Sequence, residues 1–395
     1  MKHKPSFYYI VTVGLAIFSM FFGAGNLMFP LNVGLHAGTN NVAGMTGFII
    51  TTILLPLAGL IAMILFDGNY EAFFGRLGPS IGKVAIFVCI IVIGPVIAIP
   101  RIVTLSHIMI APFLPITFLQ EINLLSSFTF ALIFLGITFI ATYRENRIVD
   151  LLGTVISPLL LIALLIIIVK GLLTAHTPLV ASNDAWQTFK TNFIRGYETL
   201  DLLGGIFFSS IVIHILKNTV GGMVGFNRNR LALIGLKAGI LGVSVLALIY
   251  IGMSLLSVYH GHGLDVSGNL FQIIAFKVLG PYGALVIGTA VLMACFSTSI
   301  ALGAVVAEYF QVSLFQRKIS YISSLLIVMG LSLPLSTFGI DKVLELTAGP
   351  LIYIGYTTII TLTFCNIAYK LFDFRPVKVP VLLTFIIATI SYYLM

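Results

Sequence analysis

The chain has 395 residues, of which 59% are hydrophobic and only 9% charged, and its mean hydropathy is +1.12. That balance excludes a water-soluble domain of this size and leaves an integral membrane protein. The formal net charge of +8 is carried by single basic residues between apolar runs, a pattern of topology signals, so no nucleic-acid partner is expected.

Apolar runs long enough to cross the hydrocarbon core recur along the sequence, without the alternation of an outer-membrane barrel. They predict an all-α polytopic bundle of about 11 transmembrane helices. In chain order the spans are read at 7–37, 43–66, 81–114, 124–143, 149–173, 196–216, 231–259, 282–310, 319–335, 343–372 and 379–394. Lys2 and Lys4 precede a first segment too long for a signal peptide, so that segment is expected to be retained. A cytoplasmic N-terminus leaves only Arg101, Lys170, Lys190, Arg195, Lys277 and Lys342 off the inner loops, and it puts the C-terminus outside. The polar connections 174–195 and 261–280 are too small to bury a core, so residues 1–395 form one transmembrane domain. The second of them holds "NLFQIIAFKVLG", expected to pack as a lid or re-entrant helix on the outer face. Cys89, Cys295 and Cys365 lie in apolar runs and read as core residues, and the histidines show no ligand spacing.

The first span contains "FFGAGNLMFP", where Gly23-Ala24-Gly25-Asn26 interrupts an otherwise apolar helix. Freed backbone in lipid survives where it lines a cavity or where a ligand completes it. A second half-helix over 27–35 would aim its N–H groups at the break and suit a carboxylate, while the carbonyls of Ser19 to Phe22 would suit a cation. A glycine-packed interface with a proline kink is the alternative. In the third span, Arg101 follows "GPVIAIP" as an intramembrane charge; it reads either as a gate or carboxylate partner, or as a side chain snorkelling to the interface.

The sixth span opens on "GYETLDLLGG", with Glu198 and Asp201 before paired glycines. Two interrupted helices opening spans one and six point to a five-plus-five inverted repeat with its site near the midplane. Solvated carboxylates at a helix entrance are the alternative for both acids. In the eighth span, "ACFSTSIALG" clusters Ser297, Thr298 and Ser299, oxygen donors suited to a monovalent hard cation unless they bond their own helix. Glu308 at the end of that span reads as an interfacial anchor rather than a proton carrier.

With "FGAGNLMFP", "VGLHAG", "GPVIAIPR", "GYETLDLLG" and "AEYF" in view, the sequence resembles the bacterial branched-chain amino acid:cation symporters, BrnQ-like carriers of the LeuT-type fold. The resemblance spans nearly the whole chain. It implies broken helices 1 and 6, a first repeat at about 7–173, a second at about 196–372 and an extra C-terminal helix at about 379–394. It also implies sodium-coupled import of leucine, isoleucine and valine across the bacterial inner membrane by alternating access. Sodium is then a co-transported ion, and no other cofactor or protein partner is expected.

Carried over by position, Ala24, Gly25, Asn26, Thr199 and Asp201 would bind the substrate and a nearby cation. Ser19 and Phe22 carbonyls with Ser297, Thr298 and Ser299 would form a second cation site, and Arg101 and Glu198 would gate or couple. The apolar subsite should draw on spans three, six and eight. Glu198 stands where relatives are expected to be apolar, Leu31 where they tend to have a second proline, and the chain ends after the eleventh span where relatives commonly have twelve. The alternatives are a proton-coupled or exchange-type carrier, in which Glu198 or Asp201 titrates, and, from another class, a channel or sensor. No catalytic residues are expected, because the spans show no catalytic pair or metal-ligand spacing.

Overall fold

Inside a bilayer every peptide N–H and C=O has to be satisfied within the protein, and a chain this apolar does so by forming helices. The structure, a computed structural model, describes residues 7–144, 147–181, 183–224, 228–337 and 351–394. Lys2, Lys4, Lys342 and the start of the span expected from 343 lie outside the described residues. Among the described residues, 7 helical stretches are long and apolar enough to cross a membrane, accompanied by the shorter apolar helices Phe7–Phe21, Leu270–Leu279, Tyr321–Leu335 and Lys378–Leu394. The chain is a multi-pass membrane protein.

The first span is two helices, α1 (Phe7–Phe21) and α2 (Ala24–Ala37). After a turn at Gly38, where φ is +49°, α3 (Asn41–Ile49) runs through a π turn into α4 (Leu55–Leu65). The third span is α5 (Pro79–Ile91) and α6 (Ala98–Ile110), followed by α7 (Leu124–Thr142) and α8 (Ser157–Leu173). Then come α9 (Ala185–Arg195), α10 (Asp201–Val224), α11 (Arg228–His260), α12 (Leu270–Leu279) and α13 (Ala284–Tyr309). The chain finishes with α14 (Tyr321–Leu335), α15 (Thr357–Phe372) and α16 (Lys378–Leu394).

Burial sorts these helices into centre and rim. In the stretch Ala284–Leu314, which contains α13, 83% of the most apolar window is buried, against 33% for α7. α7 turns Leu132, Ile133, Ile137 and Ile140 outward, and α16 buries only Val381. Outward-facing apolar side chains on rim helices meet lipid tails, so close packing must hold the centre together. α1 meets α11 where a Cβ on Gly242 would stand 2.6 Å from the Gly14 carbonyl oxygen. Only glycine permits that approach.

Two features differ from the sequence reading. Residues 185–195, read as part of a polar connection, form α9, which leads directly into the sixth span within the helical stretch Ala185–Ile213. The Asp184 carboxylate caps α9 by accepting from Gln187 N–H. α9 buries Thr188 and Asn192 against Gly44 of α3 and lays its backbone at Phe189 and Phe193 on Gly47, while exposing Trp186, so its polar face points inward and hydropathy hides it. The third span, read as continuous, comes apart at Gly94 (φ −99°, ψ −118°), where Pro95 removes a donor and Val306 of α13 presses on the glycine. The expected helix in 261–280 is α12, which buries Leu270, Phe271, Ile274, Ala275 and Val278.

Candidate functional site

Three interrupted spans meet at one cavity. Its walls come from Gly23 to Asn26 of the first, Ile93, Ala98, Arg101 and Ile102 of the third, Thr199 to Asp201 with Gly204 and Phe208 of the sixth, and Thr298 and Leu302 of α13. Its volume is about 50 Å³, room for a few water molecules and too little for a branched-chain amino acid, so filling it requires the walls to part.

The first break is shorter than the glycine pattern predicts. Phe22 and Gly23 lie between the two helices, with Gly23 extended (φ −99°, ψ −170°), and α2 starts at Ala24 instead of Leu27, which makes Gly25 and Asn26 part of its first turn. Gly23 has no side chain to cap α2, so the N–H groups of Ala24 and Gly25 lack a helical acceptor and face the cavity with the positive end of the helix dipole. The Asn26 amide donates from Nδ2 to the Phe21 carbonyl, closing the break from the other side. Gly23 also admits α13: a Cβ there would lie 3.0 Å from Thr298 Oγ1. Through that opening the Thr298 hydroxyl donates to the carbonyl of Met20 at 3.0 Å and lies 3.4 Å from that of Ser19.

The sixth span breaks at Leu200, which sits in the left-handed region (φ 59°, ψ 19°) between the 3₁₀ turn Gly196–Thr199 and α10. For a leucine that conformation costs about 1–2 kcal/mol. It survives because the surrounding groups hold it: the Tyr356 hydroxyl accepts the N–H of Leu202 at 3.1 Å, one of the orphan donors at the start of α10. Asp201, 7% exposed, has the Thr199 hydroxyl and the Asn26 amide as neighbours, and its Oδ2 has no hydrogen-bond partner. With α9 ahead of them, both acids sit between two helices rather than at a free helix entrance.

Arg101 is equally buried, also 7% exposed. Its Nη1 donates to the Glu198 backbone carbonyl at 3.0 Å, its Nη2 stands over Gly25, and its Nε has no partner. Arg101 therefore does not snorkel. It and Asp201 line one cavity within electrostatic reach of each other, yet they form no ion pair among the described residues. A buried cation and a buried carboxylate that do not pair each present an unsatisfied polar atom at this site.

The other expected residues divide. Of the three clustered hydroxyls only Thr298 lines the cavity; Ser297 donates to Ala294 in its own helix at 2.9 Å, and Ser299 Oγ is buried without a partner elsewhere. Ser19 contributes its carbonyl to Thr298, while its hydroxyl donates to Ala16. The Phe22 ring packs between Phe18 and Tyr250, away from the cavity. Glu198 offers Arg101 its carbonyl, and its side chain lies within electrostatic reach of Arg195 as well as Arg101. The apolar wall is Met20, Phe21, Ile93, Ile102, Phe208 and Leu302. Tyr356 was missed, because nothing in its local sequence shows that its hydroxyl reaches the start of α10.

Residues 7–394 match the family described as "Branched-chain amino acid transport protein". Over 380 residues the chain is 31% identical to the branched-chain amino acid permease BraB of Bacillus subtilis, covering 94% of this chain and 83% of that one. Among solved structures it is similar to MhsT in complex with L-phenylalanine, with a TM-score of 0.59, 18% identity and 97% of both chains covered. It is also similar to a substrate-bound, outward-open Na⁺-coupled sialic acid symporter, with a TM-score of 0.58 and 12% identity over 100% of this chain and 90% of that one. At these identities the two likenesses speak to the fold alone, which is LeuT-like.

Proposed function

Since the chain belongs to the branched-chain amino acid transport protein family, we propose that it imports leucine, isoleucine and valine together with sodium by alternating access. The observation that carries this reading is the unpaired Arg101 and Asp201 facing one cavity. Asp201 takes the substrate ammonium, while Arg101 and the free amides of Ala24 and Gly25 take its carboxylate. The aliphatic side chain packs on Ile102, Phe208 and Leu302, which sort by size and apolarity.

Sodium is the second cargo. One site uses the Ser19 and Met20 carbonyls with Thr298 Oγ1, neutral oxygens suited to a monovalent hard ion, and a second adjoins Asn26, Thr199 and Asp201. Spans one and six serve as corresponding members of a five-plus-five inverted repeat, with α16 as the extra helix in a chain of about eleven spans. The setting is the bacterial inner membrane, with the N-terminus cytoplasmic. The unpartnered Asp201 Oδ2 favours a second reading, in which a proton replaces sodium as the coupling ion.

The test is uptake of radiolabelled leucine into proteoliposomes under an inward sodium gradient, an equal potassium gradient, or a pH gradient alone. Accumulation that needs sodium supports the first reading. Accumulation driven by pH and indifferent to sodium transfers coupling to Asp201, and no leucine uptake under any gradient rejects the substrate assignment.

A further inference from the structure

A second cavity, of about 590 Å³, opens on the rim of the bundle between α5, α16 and the segment leading into α15. Its outer walls are exposed apolar side chains, among them Ile81, Val88, Leu382 and Phe385, and its inner end is formed by the buried Val92 and Leu200. Tyr356, the residue that holds the Leu202 N–H, lines it as well. This groove is separate from the transport cavity but shares Leu200 with it, so it reaches the back of the sixth-span break.

One end of the groove is basic. Lys378, at the start of α16, lines it. Beside the lining residue Leu77, Arg76 lies 3.6 Å over the Tyr369 ring and donates to the Arg375 carbonyl, with its Nε buried and unpartnered. Lys378 lines the groove and Arg76 adjoins it through Leu77, while Arg375 is paired with Asp373 at 3.1 Å. α16 runs antiparallel to α15, as the Thr361 to Thr384 hydrogen bond and the Tyr353–Tyr392 ring pair register, so the groove leads from Lys378 inward to Tyr356.

An apolar slot that opens to lipid tails and carries cations at one end matches an anionic lipid in both shape and charge. We propose that this groove binds an anionic phospholipid, its phosphate held by Lys378 and Arg76 and one acyl chain lying along α5 and α16 against Leu200 and Tyr356. The chain end then abuts the two residues that support the sixth-span break. A zwitterionic lipid offers the same tails without the net charge, so headgroup charge decides the preference.

The chain's single tryptophan makes the test direct. In a Trp186→Phe background, Val88→Trp places the one fluorophore in the groove wall, and the full-length protein is reconstituted in phosphatidylcholine vesicles. Phosphatidylglycerol with brominated acyl chains should quench at a mole fraction about fivefold lower than brominated phosphatidylcholine, the effect of one lysine near the lipid surface. Lys378→Glu, a change at an exposed position, should abolish that preference, and Ala85→Phe, which fills the groove beside the probe, should weaken quenching by both lipids. Equal quenching by the two lipids overturns the proposal. A preference that survives Lys378→Glu overturns the headgroup assignment, and quenching indifferent to Ala85→Phe overturns the placement of the acyl chain.

Discussion

Replacing Arg101 by methionine tests whether the cavity recognises a zwitterion. Methionine keeps an unbranched apolar stem in the buried site, but it removes the guanidinium, its charge and the 3.0 Å hydrogen bond from Nη1 to the Glu198 carbonyl. If Arg101 meets the substrate carboxylate, its loss strands a desolvated anion, and truncating one partner of such a pair costs about 2–5 kcal/mol. The lower bound corresponds to a roughly 30-fold rise in the leucine Kd. The assay is equilibrium binding of labelled leucine to purified protein at saturating sodium, with leucinol, which has the amine and side chain but no carboxylate, as competitor. Leucine binding should weaken by that factor while leucinol binding stays near its wild-type level. Thermal unfolding of the same sample separates this from damage to the fold, since the unpaired Glu198 carbonyl costs about 1–3 kcal/mol of stability by itself. An unchanged leucine Kd, or equal losses for leucine and leucinol, would refute the assignment of Arg101 to the carboxylate.

Asp201→Asn removes the partner of the ammonium, a charge-assisted hydrogen bond worth about 1.5–3 kcal/mol, so leucine uptake should fall roughly 10-fold or more; wild-type kinetics would remove Asp201 from the site. Thr298→Ala deletes the hydroxyl that bridges to the Met20 carbonyl, and the sodium concentration for half-maximal uptake should rise by roughly 2- to 10-fold with leucine affinity at saturating sodium preserved. An unshifted sodium curve would take Thr298 out of the cation site. Gly242→Ala drives a methyl to 2.6 Å from the Gly14 carbonyl oxygen, and this overpacking should destabilise the detergent-solubilised protein by about 1–3 kcal/mol, read as a lower midpoint of thermal unfolding.

Sequence alone determined what depends on local chemistry. Hydropathy established the membrane class and most of the helices, because the transfer energy of a 20-residue run is a sum over its own residues. Gly23 and the run from Glu198 to Gly205 marked where helices come apart, because backbone permissiveness and the cost of burying acids are also local. Tertiary structure alone decided matters that turn on which groups meet. α9 escaped hydropathy because Thr188 and Asn192 point inward, a choice made by the glycines of α3. Three adjacent hydroxyls in α13 look equivalent in sequence, but a helix spreads neighbouring residues around its axis, so only Thr298 faces the break in the first span. Tyr356 reaches Leu202 N–H across 154 residues of chain, and Arg101 reaches the Glu198 carbonyl across 97. Each of these contacts gives a buried polar group a partner from a distant part of the chain, and that partner is set by how the helices pack.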